Sequence, residues 1–309
     1  MIHFIVNEAS GRGRAAAMWR EMRRALLTAG VPFRAWITHA AGEAALLAQM
    51  AEAETSEVTK LVVVGGDGTV NEVLNGIGDL SKVALGVVPL GSGNDFARGL
   101  RMNGDPWKAL HRVLAASGKR RIDIGEVCAD DAPPRRFGIS ASVGMDAWVC
   151  QAVDASPQKA RLNRLGLGSL TYGLMTLSAA WHLEHADARI TAETPLGQVA
   201  LNVDGLIFLA CMNFPWEGGG VPIAPDASAN DGLFSICLAH GLTRPQVFTK
   251  LPRLACGKHT HCNGVSLFTA SAIDVRLSQP MVVHADGEVP GRVRHATFKV
   301  LPQKLRVLV

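Results

Sequence analysis

Two rhythms of apolar residues divide this chain of 309 residues. Up to Arg121, residues 2–6, 31–38, 60–64 and 82–88 read as short runs of β-formers, the last two apolar almost throughout, as strands buried on both faces are. Between them, residues 14–28 set Trp19, Met22 and Leu26 on one helical face and stop at Gly30, and residues 42–53 read as a second helix. A further helix has Asp105 as its cap, Pro106 at its first position and Gly118 past its end. Strands and helices in alternation predict a doubly wound parallel sheet.

Beyond Arg121 the pattern changes to short strands at 136–142, 188–193, 205–212, 233–239, 272–277 and 281–285, parted by Gly, Pro, Asn and Asp clusters. This predicts an antiparallel β-sandwich, interrupted by helices at 165–181 and 244–255. The expected fold class is therefore α/β, with a doubly wound parallel sheet over 1–122 and a β-sandwich domain over 123–295; residues 296–309 read as a further strand. The 165–181 stretch is the most apolar, yet Gly166, Gly168, Ser169, Thr171, Gly173, Thr176 and Ser178 interrupt it, and it is shorter than the ~20 residues a membrane span needs. With Lys159, Arg161 and Arg164 ahead of it, it reads either as a helix packed on the sheet or as one lying on an anionic bilayer surface.

Chemistry enters where strands run into glycines. Leu61-Val62-Val63-Val64 leads into Gly65-Gly66-Asp67-Gly68-Thr69-Val70-Asn71-Glu72, after which Val70, Val73, Leu74 and Ile77 recur at helical spacing. Such a turn can grip phosphate through its backbone N–H groups. Asp67 is the anomaly, because a carboxylate beside phosphate repels it unless a cation, or a proton to be removed, lies between. The strand at 82–88 repeats the arrangement with Gly91-Ser92-Gly93-Asn94-Asp95-Phe96-Ala97. Consecutive turns of a parallel sheet open on the same edge, so two cradles are expected side by side. Either turn by itself also suits a sugar site or a purely structural bend.

Composition narrows this only a little. A chain that is 48% hydrophobic and 19% charged is ordinary globular protein, and a net charge of +4 suits a nucleotide or an anionic bilayer without requiring either. No basic nucleic-acid patch is evident. The six cysteines form no CxxC pair and read as reduced core thiols of a cytosolic protein; residues 1–6 lead straight into structure, with no secretory signal pattern. Cys256, His259, His261 and Cys262 offer zinc ligands, but crowded into so short a loop they suit one tetrahedral ion poorly.

The blocks 65–72 and 91–97, followed by Asn213 with Gly218-Gly219-Gly220, Ile223-Ala224-Pro225, Asp231-Gly232-Leu233 and finally Asp286-Gly287-Glu288, resemble the diacylglycerol kinase catalytic domain family, most closely its soluble bacterial lipid kinases. The resemblance spans nearly the whole chain. It implies a fold of the NAD kinase and diacylglycerol kinase type whose tail, 296–309, returns to the first domain. It further implies an ATP- and Mg²⁺-dependent kinase, cytoplasmic and peripheral to the inner face of the membrane, acting on a lipid hydroxyl such as that of diacylglycerol. Glu288 matches the general base and Asp67 a second catalytic carboxylate. Gly66, Asp67, Gly68, Thr69, Val70, Asn71 and Glu72, with Ser92, Gly93 and Asn94, match the nucleotide site, bordered by Thr38 and by Asn7 in the loop Asn7-Glu8-Ala9-Ser10-Gly11. Ser228, Asp231 and Leu233 match a structural Mg²⁺ site. A glutamate of ordinary pKa is a weak base, and Asp67 and Asp286 are candidates for the like charge that would strengthen it.

Two positions depart from the family pattern: Glu8 replaces a proline and Ile139 an asparagine. Asp146, in the same block as Ile139, reads either as a residue orienting an acceptor hydroxyl or as an exposed turn. Two rivals remain: a kinase for a soluble acceptor, of the NAD kinase type, and a noncatalytic homologue that binds nucleotide or membrane. The identity of the lipid is not written in the sequence, and a homodimer is among the assemblies it allows.

Overall fold

The computed structural model describes residues 1–54, 57–155 and 176–309. It divides the chain into two units, one of Met1–Ile124 with Gln303–Val309, the other of Gly125–Pro302.

In the first unit, β1 (Ile2–Val6), α1 (Arg14–Thr28), β2 (Phe33–Ile37), α2 (Glu43–Ala53), β3 (Thr59–Gly65), α3 (Asp67–Gly76) and β4 (Val83–Pro89) alternate as the pattern predicts, followed by α4 (Asp95–Gly99) and α5 (Pro106–Ala115). The strands run parallel in the order β2-β1-β3-β4, with Ile2 beside both Phe33 and Lys60. Because β1 lies between β2 and β3, the direction of winding reverses there. Right-handed crossovers then put α1 on one face and α2 and α3 on the other. The apolar face of α1 buries Trp19, Met22 and Leu26, and Trp19 lies 5.2 Å, centroid to centroid, from Phe4 of β1. Each such large side chain contributes about 1.5–3 kcal/mol when fully removed from water.

The second unit takes over within β5 (Arg120–Ala129). It contains β6 (Arg135–Phe137), β7 (Ser140–Gly144), α6 (Met145–Ala155), β8 (Ala186–Thr194), β9 (Gly197–Met212), β10 (Phe234–His240), α7 (Arg244–Ala255), β11 (Val265–Ala270), β12 (Ala272–Ala285) and β13 (Glu288–Val307). Its strand pairings among the described residues are antiparallel. Two long strands fold it into a sandwich, for β9 and β12 each pair with β8 over one half and with β7 over the other. Along β8, Ala186, Ala188, Ile190 and Ala192 alternate inward, and the stacked rings of Phe137 and Phe234 fill the core with Phe298.

Several elements differ from the sequence pattern: the strands expected apart at 272–277 and 281–285 are one, β12, and β5 and β11 have no counterpart in it. The single strand expected over 136–142 is two, β6 and β7, for a reason that lies 146 residues downstream and belongs to the site described below. The tail is one continuous strand: Ala296–Lys299 still pair with β12, and only Gln303–Val309 join the first unit, where Arg306 and Val307 run parallel to Ala84 and Leu85 of β4. Of the apolar helix expected at 165–181, residues 176–181 are helical; the remainder, with Lys159, Arg161 and Arg164, lies outside the described residues. Among the described residues no helix is long and apolar enough to cross a membrane.

Candidate functional site

The first unit gathers three loops at the carboxyl ends of β1, β3 and β4, which include the point where the winding reverses. The loop after β1 is tied to the turn after β3 by Asn7, whose Nδ2 donates to Thr69 Oγ1 at 3.0 Å while its Oδ1 accepts the Ala9 amide. Glu8 therefore stands in a loop whose shape Asn7 holds. The turns after β3 and β4 are joined by the Leu90 N–H donating to the Gly65 carbonyl at 2.8 Å. Their glycines touch: a Cβ on Gly91 would stand 2.5 Å from Gly66 Cα, and one on Gly11 would stand 2.5 Å from the Leu90 carbonyl oxygen.

Asn94 shapes the second turn. It adopts a left-handed conformation (φ 56°), and its side-chain amide clamps Gly91 from both sides, accepting the Gly91 N–H at 2.8 Å and donating to the Gly91 carbonyl at 2.9 Å. This frees the chain to start α4, whose first amides, of Asp95 and Phe96, donate to the two carboxylate oxygens of Asp67 at 3.1 Å each. The anomalous carboxylate thus has a structural partner, the positive end of α4. A carboxylate oxygen can accept more than one bond, so an oxygen that caps a helix can also meet a cation.

The expected nucleotide residues separate into groups. Gly66, Asp67, Gly68, Thr69, Ser92, Gly93 and Asn94 line the two joined turns, with Asn7 against Thr69, and Thr38 directs its N–H and its hydroxyl to the Val6 carbonyl at the end of β1. Val70 and Asn71 of α3 lie deeper, 2% and 0% exposed. Glu72 Oε2 accepts the Ala44 amide at 3.1 Å and so serves the first turn of α2. Asp123, fully buried, accepts the Gln303 amide at 2.6 Å and fastens the returning tail, a role with no signal in its own segment.

In the second unit, Asp286-Gly287 is the two-residue turn of a hairpin, with Ala285 opposite Glu288. It is more than a connection. The Asp286 carboxylate accepts the amides of Gly138, Ile139 and Ser140 at 2.7, 2.8 and 3.1 Å, drawing the backbone out of the ladder and dividing β6 from β7. Asp286 thus has donors of its own and does not act simply as a like charge beside Glu288. Glu288, about half exposed, has the Arg135 guanidinium 3.7 Å away. Ile139 is buried, and Asn213 Nδ2 donates to the neighbouring Gly138 carbonyl at 3.0 Å.

A polar cluster that the sequence did not reveal lies behind this turn. His284, 1% exposed, has Nδ1 3.2 Å from the Gly287 amide and Nε2 3.3 Å from Asp146 Oδ2 and 3.8 Å from Glu217 Oε1. The Gly218-Gly219-Gly220 run closes a tight turn, Glu217 pairing with Val221, and so delivers the Glu217 carboxyl to the cluster. Burial, and then the neighbouring Asp146 carboxylate, hold Glu217 protonated well above the usual range. Burial also pushes Asp146 up, but the hydrogen bond from His284, with bonds from Glu217 and Ser142, brings it below its ordinary value. Asp146 is therefore no exposed turn. The one signal in the sequence was a histidine inside the apolar run 281–285.

Asp231 begins an Asx-type turn, its Oδ1 accepting the Leu233 amide at 3.0 Å, and Ser228 Oγ donates to Asn230 Oδ1 at 2.6 Å. A carboxylate, a hydroxyl and backbone carbonyls within six residues form an all-oxygen donor set, which suits Mg²⁺. His259 holds the Ile223 carbonyl through Nε2 at 2.9 Å, away from Cys256, which is exposed.

Residues 1–127 match the diacylglycerol kinase catalytic domain family, and residues 139–309 match the YegS C-terminal NAD kinase beta sandwich-like domain. A Chromohalobacter salexigens protein named "Probable lipid kinase YegS-like" is 35% identical over 77% of this chain and 67% of its own. A diacylglycerol kinase of Staphylococcus carnosus is 27% identical over 98% of this chain and 93% of its own. The crystal structure of a Bacillus anthracis diacylglycerol kinase superimposes with a TM-score of 0.70 at 17% identity, covering 99% of this chain and 96% of that one, a likeness of fold.

Proposed function

Because the chain belongs to the diacylglycerol kinase catalytic domain family, carrying that family's catalytic domain and the YegS-type sandwich, we propose that it transfers the γ-phosphoryl group of ATP, with Mg²⁺, to the hydroxyl of a lipid. The observation that carries this reading is the tie between Asp67 and the start of α4, which holds two glycine turns together with a carboxylate at their junction. A kinase of this class works mainly by positioning and charge neutralisation. Gly66, Gly68 and Thr69 offer backbone N–H groups and a hydroxyl at one turn; Ser92, Gly93 and Asn94 offer theirs at the other. Asp67 is the side chain of these turns suited to magnesium, which would supply charge neutralisation on the phosphates when bound.

Glu288 takes the proton of the acceptor hydroxyl. Its exposure leaves the carboxylate within reach of a substrate, and Arg135 holds its orientation. Ser228, Asp231 and Leu233 would hold a second, structural Mg²⁺. The protein works in the cytoplasm against the inner face of the membrane, with diacylglycerol or a related lipid as acceptor. The names of the relatives, lipid kinase and diacylglycerol kinase, support a lipid over a soluble acceptor.

The test is incubation of the purified protein with labelled ATP and Mg²⁺, in parallel with vesicles carrying diacylglycerol and with NAD. Label in the lipid is expected, and loss of a general base is expected to reduce it about 10²–10⁴-fold in Glu288→Gln. Label on NAD alone, or on nothing, overturns the reading.

A further inference from the structure

The turn that presents Glu288 is built from two successive left-handed residues, Asp286 (φ 50°) and Gly287 (φ 87°). An aspartate resists that conformation more than a glycine does, so the turn needs anchors. Asp286 has them on both its carboxylate and its N–H, the latter donating to the Ser140 carbonyl at 2.9 Å. The residue immediately before Glu288 is held differently. The Gly287 N–H donates to a side chain, His284 Nδ1, at 3.2 Å.

That contact fixes the chemistry of the ring. A backbone amide can only donate, so Nδ1 accepts, and the neutral imidazole carries its proton on Nε2. The Nε2–H then points to Asp146 Oδ2 at 3.3 Å. No donor among the described residues reaches Glu217 Oε2, which suits a carboxyl that itself carries a proton. The result is a chain from Glu217 and Asp146 through the imidazole to the backbone beside Glu288.

A metal centre is the alternative, since ligand atoms of Cys150, Glu217 and His284 all lie within 4.8 Å of one another. A cavity of about 60 Å³, lined in part by Asp146, Cys150 and Glu217, has room for an ion. The ring argues against it. A metal on Nε2 would leave the proton on Nδ1, facing the Gly287 N–H donor to donor, whereas a ligating histidine donates its other N–H to an acceptor.

We propose that His284 is a positioning residue for the phosphoryl-transfer reaction: its Nδ1 holds the Gly287 amide, and with it the orientation of Glu288, while Asp146 holds the ring in the tautomer this needs. The inference rests on the reading of Glu288 as general base, and it adds a residue that does not itself touch substrate.

Two substitutions separate the two ends of the ring. The asparagine Oδ1 stands as many bonds from the backbone as His Nδ1, so His284→Asn keeps an acceptor for Gly287; the glutamine amide nitrogen corresponds to Nε2, so His284→Gln keeps only the donor toward Asp146. The variants, with His284→Ala, are compared by kcat and KM for ATP on lipid vesicles, by thermal unfolding, and by amide hydrogen exchange of the 284–290 segment. Misplacement of a catalytic group by about 1 Å costs up to ~100-fold, so Gln and Ala are expected to lose about tenfold or more in kcat with KM for ATP unchanged, while Asn stays within about threefold of wild type. Exchange in the segment should rise in Gln and Ala but not in Asn. Equal kcat in Asn and Gln, or an Asn variant as impaired as Ala, overturns the proposal. If wild type phosphorylates no lipid, the kinase reading fails, and the exchange comparison alone still decides whether His284 holds the turn.

Discussion

Gly66 and Gly91 meet backbone to backbone: a Cβ on Gly91 would stand 2.5 Å from Gly66 Cα and 2.9 Å from Asn94 Oδ1. Neither neighbour can yield cheaply, because the Leu90 N–H holds the Gly65 carbonyl on one side and Asn94 clamps Gly91 on the other. Gly91→Ala must therefore push the two turns apart. The expected cost is about 1–3 kcal/mol of stability, with weakened ATP binding. Urea unfolding with and without ATP measures both, and an unchanged midpoint would show that the contact is not tight.

Asp67 serves two purposes that one substitution can divide. Asp67→Asn keeps an oxygen for one of the two amides of α4 but presents an NH₂ group to the other and removes the charge. Hydrogen bonds to charged groups contribute about 1.5–3 kcal/mol, so a loss of stability within that range is expected. Phosphoryl transfer should fall far more than stability does, and added Mg²⁺ should not restore it. Transfer at the wild-type rate would leave Asp67 with the helix-capping role only.

The glycine turns were legible because their signals are local: apolar strand, glycines and helical spacing all fall within about a dozen residues, and the order β2-β1-β3-β4 follows from the alternation. Asn71 and Glu72 were harder. Helical spacing places Val70 on the apolar face, but nothing nearby says that Asn71 is fully buried or that Glu72 reaches back to the Ala44 amide. The break at 138–139 was not legible at all, since its cause, Asp286, is 146 or more residues away in sequence. The cluster of His284, Asp146 and Glu217 was hidden for the same reason: Asp146 and His284 stand out within their own segments, but nothing there names their partners, and only the fold brings the three together.

Asp286 is the more exacting of the two acids in its hairpin. Its Oδ1 accepts from Ile139 and Ser140 and its Oδ2 from Gly138. In Asp286→Asn one oxygen can keep its donors, but the new NH₂ group must face an N–H. The loss of a charged acceptor and the amide left without one together cost about 2–4 kcal/mol. Chemical unfolding of this variant should show a lower midpoint with an unchanged slope. The control is Asp226→Asn, an exposed acid of the same unit, which should shift nothing measurable.

Glu217 makes stability depend on pH with a sign that can be worked out. Burial first, and the Asp146 carboxylate second, raise its pKa in the folded chain well above the 4.5 it has when unfolded. Its contribution is complete below about pH 4.5, where both states hold the proton, and is lost as pH rises through the folded value, where only the unfolded chain releases the proton readily. Glutamine keeps the size and the neutral form. Glu217→Gln should therefore match wild type in unfolding free energy near pH 4 and gain on it steadily toward pH 8. His3 and His259, lowered chiefly by burial, act in the opposite direction: the unfolded chain takes up their protons below about pH 6.5 and both proteins lose stability on acidification. That loss is common to variant and wild type and cancels in the difference. Unfolding curves recorded across this range for both proteins decide the matter, and two stability profiles that run parallel from pH 4 to pH 8 would mean that Glu217 carries no proton of its own in the fold.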